Sequence, residues 1–299
     1  MTGLRIDPAA SIGAVHLTVS DLDRSVGFYR DRIGLPPILG PRGSDPDGRP
    51  VARFEMDGSR DLLVLTEVPG ARREPRATGL YHFAILVPSR RDLAFAFRRL
   101  AEAGQRFTGF SDHLVSEALY LADPDGNGIE IYRDRPRDEW PREADGSVRM
   151  DNLPLDLDGM MGELRDGGAD QGQRMPPGTR IGHVHLQVAD VKAAEAFYTN
   201  VIGMDVTARY GSSASFIAAG RYHHHVGVNT WASLGASPPT PGSVGLRHFE
   251  IVVPSQTERD RIADRAARAG GPIEEMDGGI RTLDPSGNGI VLVAATGGA

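Results

Sequence analysis

The sequence contains no cysteine, which excludes disulfides and thiolate metal sites and suits a reducing compartment. Lysine is nearly absent too: Lys192 is the only one among 33 basic residues, which we read as codon bias, not function. No basic run is present and the formal net charge is −7, so neither nucleic acid nor an anionic membrane is expected as a partner. Apolar runs are strand-length, well short of the ~20 residues a membrane-spanning helix needs. Met1 to Ala10 carries charge and has no apolar core, unlike a signal peptide. A soluble, cytoplasmic protein is expected.

What is present is repetition. The 299 residues, 40% hydrophobic and 24% charged, leave room for about two ordinary domains. Ile12 to Leu35 (IGAVHLTVSDLDRSVGFYRDRIGL) matches Ile181 to Met204 (IGHVHLQVADVKAAEAFYTNVIGM). Both begin with an alternating strand, pass an Asp suited to an N-cap, and carry a Phe-Tyr pair late in the helix. Gly79 to Ser89 (GLYHFAILVPS) matches Gly245 to Ser255 (GLRHFEIVVPS), and each leads into a helix. The later turns DPDGNG, from Asp123, and DPSGNG, from Asp284, hold glycines where a tight turn needs positive φ.

Four strand-helix-strands units follow, at 10–68, 78–135, 179–232 and 243–296. They make an N-terminal half, 10–135, and a C-terminal half, 179–296. Residues 136–178 read as a linker with one short helix near Leu155 to Leu164. Helices against mostly antiparallel sheets make the fold class α+β.

Nine histidines are present: His16, His82, His113, His183, His185, His223, His224, His225 and His248. All but His113 are expected on strands. Taken alone, a strand histidine is usually structural, but the repeat allows equivalent positions to be compared. Seven residues before the helix-start Asp or Ser stand Ala14, His82, His183 and His248 in the four units. After Gly-Asn-Gly-Ile on the last strand stands Glu130 in unit two and Val291 in unit four. An acid between Ile129 and Ile131 needs a partner to offset burial, and a divalent metal fits two nearby imidazoles.

These units resemble the vicinal oxygen chelate superfamily over essentially the whole chain outside the linker, which implies an α+β fold of four βαβββ modules forming paired cupped mixed sheets around a metal. The segment Phe110 to Tyr132, FSDHLVSEALYLADPDGNGIEIY, is similar to the signature of type I extradiol ring-cleavage dioxygenases. His113, Tyr120, Asp123-Pro124, Gly126 and Glu130 stand at matching spacing, and Ser111 departs from the pattern. The chain as a whole resembles four-module catechol 2,3-dioxygenases, including YHHHVGVNTW from Tyr222 to Trp231.

Those enzymes commonly build their site from the third and fourth modules. Here unit four has Val291, Arg281 and Glu274 where unit two has Glu130, Tyr120 and His113. Only units two and three carry a full set together. His183, His82 and Glu130 are thus the expected metal ligands, with units one and four as a degenerate pair. A competing set replaces His183 with His16. Whether units two and three meet within one chain or across a dimer stays open.

The resemblance implies Fe(II) in a facial triad, a catechol and O2 as reactants, and a homo-oligomer. It implies His224 as the acid-base residue, with His223 and His225 open as alternatives, and His113 and Tyr120 as groups that hydrogen-bond the substrate oxygens. Asp123 reads as a turn residue, His16 and His185 as packing on the cup floor, His248 as structural, and the Arg90 to Arg99 charges as a solvated face. Two other function classes are a glyoxalase-like isomerase using Zn, Ni or Mn and a metal-free ligand-binding protein.

Overall fold

The computed structural model describes residues 4–38, 43–56, 58, 60–165, 173–276 and 278–295. The expected end of the last unit at 296, and residues 166–172 of the expected linker, lie outside them. Unit one holds β1 (Ser11–Val19), α1 (Leu22–Gly27), β2 (Gly43–Ser44), β3 (Pro50–Glu55) and β4 (Asp61–Glu67). Unit two holds β5 (Gly79–Leu86), α2 (Arg90–Glu102), β6 (Phe107–Asp112), β7 (Ser116–Ala122) and β8 (Gly128–Asp134). A short helix, α3 (Leu157–Gly162), follows. Unit three holds β9 (Arg180–Gln187), α4 (Val191–Phe197), β10 (Asp205–Tyr210), β11 (Ala214–Ala218) and β12 (Val226–Asn229). Unit four holds β13 (Gly245–Val253), α5 (Gln256–Arg268), β14 (Glu274–Met276), β15 (Gly279–Leu283) and β16 (Gly289–Ala294).

Local chemistry sets the helix ends. Asp21, Ser89, Asp190 and Ser255 each accept a backbone N–H from the first helical turn, offsetting donors the helix itself cannot use. Both α1 and α4 run on into a π-helical turn, Phe28–Ile33 and Tyr198–Ile202, that ends at a left-handed glycine, Gly34 or Gly203.

Two eight-stranded, curled, mixed sheets result, ordered β14-β15-β16-β13-β1-β4-β3-β2 and β10-β11-β12-β9-β5-β8-β7-β6. Each sheet joins one unit from each half through a central antiparallel pair, β1 with β13 and β5 with β9. Units two and three therefore share a sheet within one chain. One apolar core, including Leu17, Tyr29, Phe54, Phe83, Val184, Tyr198 and Phe249, draws on both sheets and the helices. Burying each such side chain is worth about 1.5–3 kcal/mol.

Contacts within each half run the other way and knit the two sheets together. Tyr29 donates its hydroxyl proton to buried Asp123 at 2.9 Å, and Tyr198 donates to Asp284 at 3.3 Å. Each Asp also accepts from the turn it closes: Asp123 from the Asp125 and Asn127 N–H groups and the Asn127 amide, and Asp284 from the matching groups of Ser286 and Asn288. Arg99 on α2 donates to the Arg32 and Ile33 carbonyls that end unit one's helix. Arg265 on α5 does the same for Val201 and Ile202.

Arg90 and Arg99 of α2 do not belong to the solvated face the charge pattern suggests. Arg90 pairs with buried Glu117 at 3.0 Å, and burial lowers Arg99 to about 10. Its guanidinium is held over carbonyls instead of in water, and sequence alone does not reveal where those carbonyls lie.

Tyr29→Phe leaves Asp123 buried with one donor fewer. It should destabilise the protein by about 2 kcal/mol, the usual worth of a hydrogen bond to a charged group, read as a lower urea midpoint at unchanged m-value.

Candidate active site

On the concave face of the second sheet, one cross-strand row runs Tyr120, Glu130, Ala84, His183 over β7, β8, β5 and β9. Strand alternation explains it: Phe83, Ile85, Ile129 and Ile131 fill the core, so Ala84 and Glu130 must face the other way. The methyl group of Ala84 leaves the space in which Glu130 and His183 meet across β5. His183 Nε2 lies 3.1 Å from Glu130 Oε2. His82, two residues before Ala84 on the same face, brings its Nε2 within 3.0 Å of that oxygen. This second contact lacks the alignment of a hydrogen bond, so His82 Nε2 is a buried polar atom without a partner.

His82, Glu130 and His183 are 6%, 2% and 1% exposed, and their ligand atoms lie within 4.8 Å of one another. Among the described residues they are the one group of three or more such side chains so placed. Burial opposes ionisation of Glu130, yet the nearby His183 and His82 hold its carboxyl well below the usual range. Burial drives His183 down to about 4, against the pull of Glu130. Two imidazoles and one carboxylate converging on a point, with a nitrogen that lacks a hydrogen-bond partner, are the donor set of a divalent cation. The residues fit such an ion.

The row borders a cavity of about 730 Å³, in the range that holds a small organic ligand. His82, Glu130, His113, Tyr120, His185 and His224 line it, with Tyr81, Tyr210 and Trp231 around them. Tyr81 sits at a break in the β5–β9 register between Leu80 and His82, which re-aims it. It meets the Trp231 ring edge-on at 5.3 Å.

His113 lies in the turn between β6 and β7, and its Nε2 is 2.6 Å from the Tyr120 hydroxyl. Its Nδ1 is 2.9 Å from the Asp151 carbonyl. A carbonyl only accepts, so Nδ1 carries the proton and Nε2 accepts from Tyr120. The stretch between the halves thus orients a cavity residue. Burial first, and then the Glu130 charge, push the Tyr120 phenol well up, so it stays a donor.

His223, His224 and His225 are not on an alternating strand, contrary to the sequence reading. They precede β12, after a turn with positive φ at Gly220 and Arg221. All three are buried, and they face different ways. His225 Nδ1 accepts the Ala219 N–H, and His223 Nε2 contacts Asp134. Of the three, His224 alone lines the cavity, its ring centroid 4.0 Å from that of His183. Burial, then neighbouring His183 and His223, drive its basicity well down.

The sequence pattern reads His185 as packing on the cup floor. It stands on the cavity wall opposite His82 in the β5–β9 pairing, its Nε2 buried and unpartnered. Gly227 makes room for its ring, since a Cβ there would approach the ring to 2.9 Å. The signal was available, because His185 lies two residues after His183 and so shares its face. Asp134 and Asp151 were missed, and no local pattern marks them.

His16 belongs to the other sheet, stacked on His248 with centroids 4.0 Å apart. Its Nε2 is 3.6 Å from Glu250. The competing set of His16 with His82 and Glu130 is therefore divided between two sheets.

The model of the glyoxalase/bleomycin resistance protein/dioxygenase superfamily matches residues 11–131 and 180–292. The chain belongs to this superfamily. It is 44% identical over 297 residues to a Bacillus subtilis (strain 168) protein named catechol-2,3-dioxygenase, covering 98% of this chain and 100% of that one. Among solved structures, a putative dioxygenase from Bacillus subtilis subsp. subtilis str. 168 shares the fold at a TM-score of 0.66 and 14% identity, over 96% of this chain and 86% of that one. Glyoxalase I from Zea mays shares it at 0.56 and 15%, over 96% and 92%.

Glu130→Ala should abolish stoichiometric binding of a divalent metal, whereas His248→Ala should leave it intact. Elemental analysis of anaerobically prepared variants reads both. Metal loss in His248→Ala with retention in His183→Ala would put the ion in the other sheet.

Proposed function

We propose that this superfamily member is an Fe(II)-dependent extradiol dioxygenase of the catechol 2,3-dioxygenase type. It breaks the ring bond beside the two hydroxyl-bearing carbons of a catechol and places both atoms of O2 in the product. One observation carries the reading: His82 and Glu130, which converge with buried His183, line a single cavity with the His113–Tyr120 pair and His224. The 44% identity to a protein named catechol-2,3-dioxygenase supports it. A site that supplied metal ligands alone would need neither the hydrogen-bonded pair nor the further histidine.

His82, His183 and Glu130 would hold the iron, which in its ferrous form would supply coordination positions for catechol and O2 and a redox path between them. His224 takes the proton of a catechol hydroxyl as general base and returns it later as acid. Tyr120, whose one hydroxyl proton goes to His113, presents its oxygen to the cavity and accepts a hydrogen bond from a substrate hydroxyl. The surrounding rings of Tyr81, Trp231 and Phe216 give the aromatic substrate an apolar wall. Every candidate residue comes from one chain, so association of copies is not needed to build the site. Among the described residues, no helix is long and apolar enough to cross a membrane.

Anaerobically prepared, iron-loaded protein should consume O2 with a catechol and form a yellow ring-fission product. Iron-loaded protein that yields no such product with any catechol would sink the proposal, and zinc in place of iron in the purified protein would point to another reaction class. His224→Phe should lower kcat about 10²- to 10⁴-fold, the range for loss of an acid-base group, while iron content is retained.

A further inference from the structure

Behind His224, away from the cavity, runs a chain of hydrogen-bonding groups that the reaction itself does not touch. His224 Nδ1 lies 2.9 Å from His223 Nδ1. His223 Nε2 lies 2.8 Å from Asp134 Oδ1. Asp134 Oδ2 accepts the Tyr222 hydroxyl at 2.8 Å, and Tyr222 meets the Tyr132 hydroxyl at 2.7 Å. His223 is wholly buried, with Tyr222 and Trp140 against its ring at 4.1 and 5.2 Å. Gly182 leaves room for the Tyr132 hydroxyl, which a Cβ at that position would strike.

The direction of each hydrogen bond follows from the group at the far end. A carboxylate accepts and does not donate, so His223 Nε2 carries a proton and donates it. Where that is the ring's one proton, Nδ1 is bare and can only accept. The opposing His224 Nδ1 must then carry a proton, and His224 is left with a bare Nε2. That is the nitrogen not engaged by His223, on a ring that lines the cavity.

We infer that Asp134 and His223 are positioning residues that lock His224 in the Nδ1–H tautomer, with Nε2 bare and ready to accept a proton from a substrate hydroxyl. The same logic orients His113 through the Asp151 carbonyl, but with the opposite partner: there Nε2 receives the Tyr120 proton. Two cavity histidines are thus held in defined tautomers by groups outside the cavity. A lone buried imidazole would divide between tautomers, and only one of them is a base at Nε2. The inference rests on the reading of His224 as acid-base residue, but the tautomer itself is measurable without any reaction.

The test uses full-length, metal-free protein labelled with 15N-histidine, the His224 signals being identified by their loss in His224→Gln. At neutral pH, NMR should show His224 protonated at Nδ1 and bare at Nε2. His223→Phe should release that single tautomer. His223→Asn, whose side-chain oxygen can still accept from His224 Nδ1, should keep it. In the iron-loaded protein, His223→Phe should lower kcat at least about tenfold with KM within about twofold, and His223→Asn should restore most of the loss.

Should His223→Phe fail to fold, Asp134→Asn decides, because an amide can donate to His223 Nε2 and so unlock the pair. A wild-type His224 protonated at Nε2 overturns the inference, as does an unchanged tautomer in both His223→Phe and Asp134→Asn. Retention of the tautomer pattern in a protein that cleaves no catechol supports the inference while removing the proposed reaction, so the two failures are distinct.

Discussion

A carboxylate that is 2% exposed is costly unless it is paired, and in this protein most of the site can be traced to how Glu130 is satisfied. It points away from the core because Ile129 and Ile131 on the same strand point into it. It reaches His183 because Ala84, the residue between them in the cross-strand row, has only a methyl group. The antiparallel β5–β9 pairing supplies one imidazole from unit three and β5 itself supplies the other. Changing any of these conditions strands a buried charge.

The first sheet shows what the same architecture does without that arrangement. Its corresponding row reads Arg281, Val291, Glu250, with Glu250 accepting the Ala14 N–H. The carboxylate has moved one strand over, from the Glu130 position to that of Ala84. That sheet's histidines, His16 and His248, stack on each other, and among the described residues they form no converging group of three donors. Two sheets of one topology therefore differ in chemistry through four or five side chains.

The sheets cross the halves of the chain, while the Tyr–Asp and Arg–carbonyl contacts stay within them. Tyr29 with Asp123 and Tyr198 with Asp284 fasten the first helix of each half to the last turn of the same half. Each half thus spans both sheets. The site is held by this interlock as well as by its own hydrogen bonds, and the Asp151 carbonyl adds a further restraint from the connecting stretch.

Local pattern made a large part of this legible. Alternation placed His82, Glu130 and His183 on strands, the Asp and Ser caps marked the helix starts, and the glycine turns marked the strand ends. All of these are decided by neighbours within a few residues. Comparing equivalent positions went further and indicated which units combine, because a complete donor set existed only in units two and three. The His-His-His run defeated that method, since a loop has no alternation to say which ring faces inward. Arg90 and Arg99 defeated it as well, because their partners lie in distant segments.

By itself, then, the sequence indicated four repeated units, the residue types able to hold a metal, and the exclusion of thiolate ligands. Tertiary structure alone decided that β5 and β9 meet within one chain, that His224 faces the cavity while His223 turns to Asp134, and that Asp151 orients His113. The reason is physical. Periodicity reports which face a residue takes relative to its own strand, whereas the partner across the sheet and the direction of a loop depend on contacts between residues far apart in the chain.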